Sequence, residues 1–164
     1  MSNENLKQFY MQGLQALKVA GQKGHEAASE AQGAVTSPEL KELVQQDTEM
    51  TQQHAKQLDE LLQKAGGQAG NMDNPIIEGI QAGAKKIREA ANDDATRDVG
   101  IVDSAQIALH YYIAAYGSLA AHAKTLGMSD AAGVLKGMAE ECKQQDQKFT
   151  DLAERAVNPQ SKAA

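Results

Sequence analysis

Gly66-Gly67-Gln68-Ala69-Gly70-Asn71-Met72-Asp73-Asn74-Pro75 separates two long helical patterns and decides how the chain is connected. Gly66-Gly67 is a helix stop, because glycine accepts the left-handed turn that closes a helix. The residues up to Asn74 carry no apolar period and read as loop. Asn74-Pro75 then supplies a side-chain cap followed by a first-turn proline. A short helix follows, with Ile76, Ile77, Ile80 and Ile87 on one side. Asn92-Asp93-Asp94 breaks it. The chain therefore makes one long crossover between its second and third long helices.

Upstream, Leu6, Phe9, Tyr10, Leu14, Leu17 and Ala20 recur at steps of three and four, the apolar stripe of a helix. The stripe continues through Gly21, Gly24, Ala28 and Ala31, which points to close packing or something bulky opposite. Thr36-Ser37-Pro38-Glu39 starts the second helix, with Thr36 as cap and Glu39 at capping-box distance. That helix carries Leu40, Leu43, Val44, Met50, Leu58, Leu61 and Leu62. Downstream, a third long helix is predicted from about Thr96, through Val102, Leu109, Tyr112, Tyr116 and Ala123, to Gly127. Ser129 is the predicted cap of a fourth, with Leu135, Met138, Cys142, Phe149 and Leu152 inward. Residues 1–157 are expected to form the bundle and 158–164 a flexible C-terminal tail. Short links join the first and second helices and the third and fourth. One long crossover is the connectivity of ferritin-like folds. The predicted fold is an all-α ferritin-like four-helix bundle with a short extra helix in the crossover.

Composition agrees. The 164 residues are 41% hydrophobic and 4% aromatic, with three prolines, which disfavours both disorder and an all-β sandwich. Net charge is −6, so a broad footprint on nucleic acid is not expected. The basic cluster Lys85-Lys86-Ile87-Arg88 reads as a solvated helix face. No apolar run approaches the ~20 residues of a membrane span. Cys142 is the single cysteine, which excludes an internal disulfide and fits a reducing compartment. The first residues lack the pattern of a signal peptide, and a cytoplasmic location is expected. The sequence contains no G-x-S-x-G, H-E-x-x-H, P-loop or dinucleotide glycine motif.

Ser37-Pro38-Glu39-Leu40-Lys41-Glu42, the Thr51–Leu58 stretch around His54, Arg97-Asp98, Ala105-Gln106, His110-Tyr111, Ile113-Ala114 and Tyr116-Gly117-Ser118-Leu119 together resemble the YciE/YciF group of ferritin-like proteins. Gly127, Ala131-Ala132 and the run from Glu140 through Lys143 to Asp146 continue the likeness, which extends from about Tyr10 to Glu154. The resemblance implies a bundle that is often dimeric, linked to stress responses, with a carboxylate-bound di-metal centre. Glutamates are required there because two multivalent cations in a low-dielectric interior need compensating negative charge. This chain departs from that pattern. The family's acidic positions are matched by Gly21, Met50, Leu109, Tyr112 and Cys142, while Glu49, Glu140, Glu141 and Asp146 remain.

Periodicity places Gly21, Met50, Leu109, Tyr112 and Cys142 inward, Asp47, Thr51 and His54 at the centre or margin of the second helix's stripe, Glu141 and Asp146 at the edges of the fourth's, and Glu49 toward solvent. The leading expectation is a non-enzymatic, cytoplasmic member of the group with a degenerate di-metal site, no bound cofactor and a stress-related structural or interaction role. A homodimer is expected, because the crossover isoleucines need cover. One alternative is a metal-dependent oxidase or iron-handling protein, with iron or manganese on His54, Glu49, Glu141 and Asp146. A softer set, Asp47, Met50 and His54 with Cys142, would suit Cu(I) or Zn. A further alternative is a binder of a small apolar ligand, in a pocket beside Gly21 and Gly24 lined by Met50, Leu109, Tyr112 and Cys142. His25, His110 and His122 read as edge or satisfied interior residues. Tyr111, Tyr112 and Tyr116 read as core, and Cys142 as an inert buried thiol.

Overall fold

The computed structural model describes residues 2–68, 70 and 72–163. Its elements are α1 (Ser2–Ala34), α2 (Pro38–Lys64), α3 (Pro75–Ala90), α4 (Asp94–Thr125) and α5 (Ser129–Leu152), then a π-helical turn (Ala153–Val157) and α6 (Asn158–Ala163). No strand occurs among the described residues. The four long helices form the bundle. The α1/α2 hairpin and the α4/α5 hairpin pack through α1 on α4 and α2 on α5, and α3 lies across α1 and α4. Tyr10, Leu14, Leu58, Leu135 and Phe149 fill the centre and are almost fully buried. Each such side chain contributes ~1.5–3 kcal/mol of burial.

The two glycine stops work as their spacing suggests. Gly66 (φ 82°) and Gly127 (φ 75°) both adopt the left-handed conformation. Gly66 N–H donates to Gln63 O and Gly67 N–H to Leu62 O; Gly127 N–H donates to Lys124 O and Met128 N–H to Ala123 O. This pair of bonds at each end consumes carbonyls the helix would otherwise leave open.

Three boundaries differ from expectation. The cap of α2 is Ser37, whose Oγ accepts from Leu40 N–H, and not Thr36. Thr36 is engaged elsewhere: its N–H and Oγ–H, with the Ser37 N–H, donate to the buried carboxylate of Asp98 at 3.0, 2.7 and 2.8 Å. A carboxylate accepts more strongly than a backbone group offers in return, so the turn is pinned to α4. Ser129 is the first residue of α5, and Met128 occupies the cap position without a side-chain bond. α4 starts at Asp94, capped by Asp93, which accepts from both Thr96 N–H and Thr96 Oγ–H.

The crossover is anchored by one buried side chain. Asn74 Oδ1 accepts from Ile77 N–H, while its Nδ2 donates to Ala16 O (2.9 Å) and to Tyr111 Oη (2.7 Å). Ala69 and Asn71 of the predicted loop, and Ala164 of the predicted tail, lie outside the described residues. Ile77 enters the core, Ile80 and Ile87 are half-buried, and Ile76 is exposed near exposed Ile107. Beyond Val157 the chain continues as the short α6, whose described side chains are exposed apart from half-buried Ser161.

Candidate functional site

The middle of the bundle is filled by side chains from α4 and α5. Leu109, Tyr112, Tyr116 and Cys142 are each at most 5% exposed. Tyr112 and Tyr116 stack at 5.8 Å between ring centroids, and His54 meets Tyr116 edge-on at 5.4 Å. The Tyr112 hydroxyl donates to Ala20 O at 2.8 Å. It passes so close to α1 that a Cβ on Gly24 would lie 2.8 Å from the hydroxyl oxygen. Burial raises the pKa of both tyrosines. Burial, reinforced by the negative charge of Asp47, pushes the Cys142 thiol up to about 12, so the thiolate that would react or bind metal is disfavoured.

Of the four acid and histidine candidates, two are brought together. His54 is buried, and its Nε2 lies 2.7 Å from Glu141 Oε2, a half-exposed carboxylate. Burial lowers the His54 pKa, and the Glu141 hydrogen bond and charge oppose that in part. Glu49 is exposed and accepts from Gln45 Nε2; it borders the same α2–α5 surface groove as Glu141 and Met50. Asp146 faces α4 instead, accepting from Gln106 Nε2 and lying 3.2 Å from His110 Nε2. Among the described residues, no three His, Cys, Asp or Glu side chains converge on a point that could hold an ion. His25 pairs with Gln52, and His122 packs against Phe9.

A partly enclosed cavity of about 80 Å³ lies between α1, α2, α3 and α4, with Phe149 of α5 at its floor. Gly24 and Tyr112 border it; Gly21, Met50, Leu109 and Cys142 do not. Gly21 instead packs against Thr51 and Ala55 of α2. Small residues leave the space: Ala28, Ala31, Ala84, Ala105 and Ala108 border it alongside Ile77, Ile80 and Ile101. Asp47 is the one carboxylate on its wall. Part of that residue reaches solvent, but its Oδ1 is enclosed and has no hydrogen-bond partner among the described groups. Loss of hydration pushes the Asp47 carboxyl up to about 7, so near neutral pH it is ionised in only part of the molecules. Periodicity puts Asp47 near the inner face, yet the cavity itself carries no signal in the sequence.

Fold and interior together define a ferritin-like helical bundle whose centre is packed with aromatic and aliphatic side chains. A family model described as "Domain of unknown function (DUF892)" matches residues 5–162, and the chain belongs to that family. Protein YciF of Escherichia coli strain K12 is 42% identical over 82 residues, covering 50% of this chain and 49% of that protein. The match thus spans about half the length of the curated relative. The crystal structure of the E. coli stress protein YciF superposes with a TM-score of 0.87 at 28% identity, covering 93% of this chain and 97% of that one. YcfI from Rhodopseudomonas palustris gives a TM-score of 0.85 at 28% identity, over 88% of this chain and 92% of that one. No helix among the described residues is long and apolar enough to cross a membrane.

The interior does not fit the carboxylate-held metal pair that the YciE/YciF resemblance implies. Leu109 offers no lone pair, and the Tyr112 hydroxyl is committed to Ala20 O. Cys142 supplies a single sulfur, and among the described residues no three acidic, histidine or cysteine side chains converge there to supply negative charges. Two divalent cations in that environment require several.

Proposed function

We propose that this protein is a non-catalytic, cytoplasmic YciF-type protein that works without a di-metal centre, in a stress-related structural or interaction role. The observation that carries the reading is Tyr112, which occupies the inner face of α4 with its hydroxyl bonded across the bundle to Ala20 O. A glutamate there would bind a cation and hold the helices through it. Tyr112 joins α4 to α1 directly, and buried Leu109 and Cys142 add two further inward side chains that are not carboxylates. The stress connection rests on the likeness to the E. coli stress protein YciF. The cytoplasmic location rests on a single buried cysteine in a chain whose stability uses no disulfide. A homodimer joined over exposed Ile76 and Ile107 belongs to the same reading, and light scattering on the purified protein tests it.

The deciding experiment is elemental analysis of protein expressed in medium supplemented with iron, manganese and zinc, together with oxygen uptake on adding Fe(II). The expected result is well below one tightly bound metal per chain and no protein-dependent oxygen uptake. Stoichiometric iron with oxygen consumption would replace this reading with the oxidase alternative, centred on the His54–Glu141 pair.

A further inference from the structure

We propose that the α1–α4 cavity is a binding site for a small primary alkylammonium ion, with the ammonium at Asp47 and the alkyl chain against Ile77, Ile80 and Ile101. This goes beyond the metal-free reading and stands or falls separately from it.

The hydroxyls on the cavity wall are acceptors whose hydrogens are already used. Thr48 Oγ–H donates to Val44 O (2.9 Å), Thr51 Oγ–H to Asp47 O (2.9 Å) and Ser104 Oγ–H to Gly100 O (2.7 Å). Tyr112 Oη–H is given to Ala20 O, and one of the two Gln81 amide N–H groups to Lys23 O. A hydroxyl that has donated its hydrogen presents only lone pairs. Asp47 adds a carboxylate whose Oδ1 has no partner. A guest that complements this wall must bring hydrogen-bond donors, and the unpartnered carboxylate favours one that also brings positive charge. Neither Arg88 nor His25, which also border the cavity, pairs with the Asp47 carboxylate. Arg88 of α3 points to Glu30 Oε2 at 3.4 Å, and His25 of α1 pairs with Gln52.

The rest of the lining sets the shape of the guest. Apolar surface dominates, so the body of the ligand must be hydrocarbon. A space of about 80 Å³ is about half the ~150 Å³ apolar cavity that takes a benzene ring, which limits the enclosed part of the guest to roughly three or four non-hydrogen atoms; the cavity is only partly enclosed, so the end of a butyl chain extends to its mouth.

The test is a titration of isotope-labelled protein at about pH 8 and constant ionic strength, followed by amide chemical shifts. The probes are n-butylammonium chloride, 1-butanol and sodium butyrate. Butylammonium is expected to give saturable shifts in residues around Asp47, Ala84 and Ala105. Butanol should bind at least about tenfold more weakly and butyrate not at all, because an unpaired buried charge is the feature being satisfied. Asp47→Asn is expected to weaken butylammonium by at least about tenfold while leaving butanol unchanged. Ala105→Leu should abolish binding of both by filling the space. Equal affinity for butanol and butylammonium would overturn the proposal, as would the absence of saturable binding at the cavity. That comparison uses the unmodified protein, so it decides the matter even if a variant fails to fold.

Discussion

Replacing Asp47 by asparagine should change how stability depends on pH, and the size of the change follows from its surroundings. The carboxyl titrates at about 7 in the folded protein, against an ordinary value of 3.8. A gap of about three units corresponds to about 4 kcal/mol of unfavourable interaction with the ionised form, at ~1.4 kcal/mol per unit. The folded state here holds its proton more tightly than the unfolded chain does. Well below the ordinary value of 3.8 both states are protonated, and the residue costs nothing in ionisation. As pH rises from about 4 to about 7, the unfolded chain ionises freely while the folded one must keep the proton or bury a charge. Stability is therefore lost across that window and levels off above it, with about 3 kcal/mol of the loss falling between pH 4.5 and 8. Asparagine has nearly the same shape and no charge at any of these pH values. Urea unfolding of both proteins at the two pH values, followed by circular dichroism, isolates the residue. The stability of the native protein relative to Asp47→Asn should fall by about 3 kcal/mol between pH 4.5 and 8, with equal urea dependence. Parallel pH profiles for the two proteins would show that the carboxyl is hydrated in the folded state and refute the reasoning.

Asp98→Ala should destabilise the fold by about 3 kcal/mol or more in chemical denaturation, because three hydrogen bonds to a buried carboxylate are lost at the α1–α2 turn. Gly24→Ala should be destabilising even though alanine gains roughly 1 kcal/mol of helix propensity. The new methyl would sit 2.8 Å from the Tyr112 hydroxyl and force it off Ala20 O, so the melting temperature should fall. In Glu141→Gln the His54 ring, already held below 6.5 by burial, should titrate lower still in a proton NMR titration. The carboxylate's hydrogen bond and charge both favour the protonated ring, and both are removed or weakened. Because folded His54 binds its proton less readily than the unfolded chain, stability should drop as pH falls through 6.5, more steeply in the variant.

The helices and their order are legible because the stop signals are local. A glycine at φ near +80° closes a helix through bonds to its own last turn, and no distant partner is involved. The cap of α2 is not legible in the same way. Thr36 and Ser37 are both competent, and the choice between them is made by Asp98, some sixty residues away in sequence. Even so, Asp98 shares a helical face with Ile101, Ala105, Leu109 and Tyr112, and that spacing marks it as an inward carboxylate. The inner placement of Leu109, Tyr112 and Cys142 follows from the same period. The cavity does not. Periodicity tells which face of a helix is covered, but whether four faces leave a void depends on how small residues from different helices meet. Ala28, Ala84, Ala105 and Ala108 look like ordinary helix formers until they are opposed. Two of the glycines of α1 make the same point: Gly24 is crossed by Tyr112, while Gly21 is in ordinary contact with its neighbours.

Asp47 is the place where local rules conflict most sharply with the surrounding fold. Interiors of this kind exclude unpaired charge, and the neighbouring inward positions follow that rule with leucine, tyrosine and cysteine. A chain under no demand except stability would be more stable with a neutral residue here, as the asparagine experiment measures. A conflict that neither hydrogen bonding nor packing relieves is characteristic of sites whose partner arrives from outside. The adjoining wall sharpens the argument. Thr48, Thr51, Ser104 and Tyr112 spend their hydrogens on backbone carbonyls, so the protein supplies Asp47 with no donor from its own neighbourhood. An ammonium ion entering from solvent would convert the destabilising carboxylate into half of an ion pair and shift its titration downward. The native protein saturated with butylammonium should then lose its excess pH dependence over Asp47→Asn. If the two profiles still diverge in the presence of saturating butylammonium, the cation is not bound at this carboxylate.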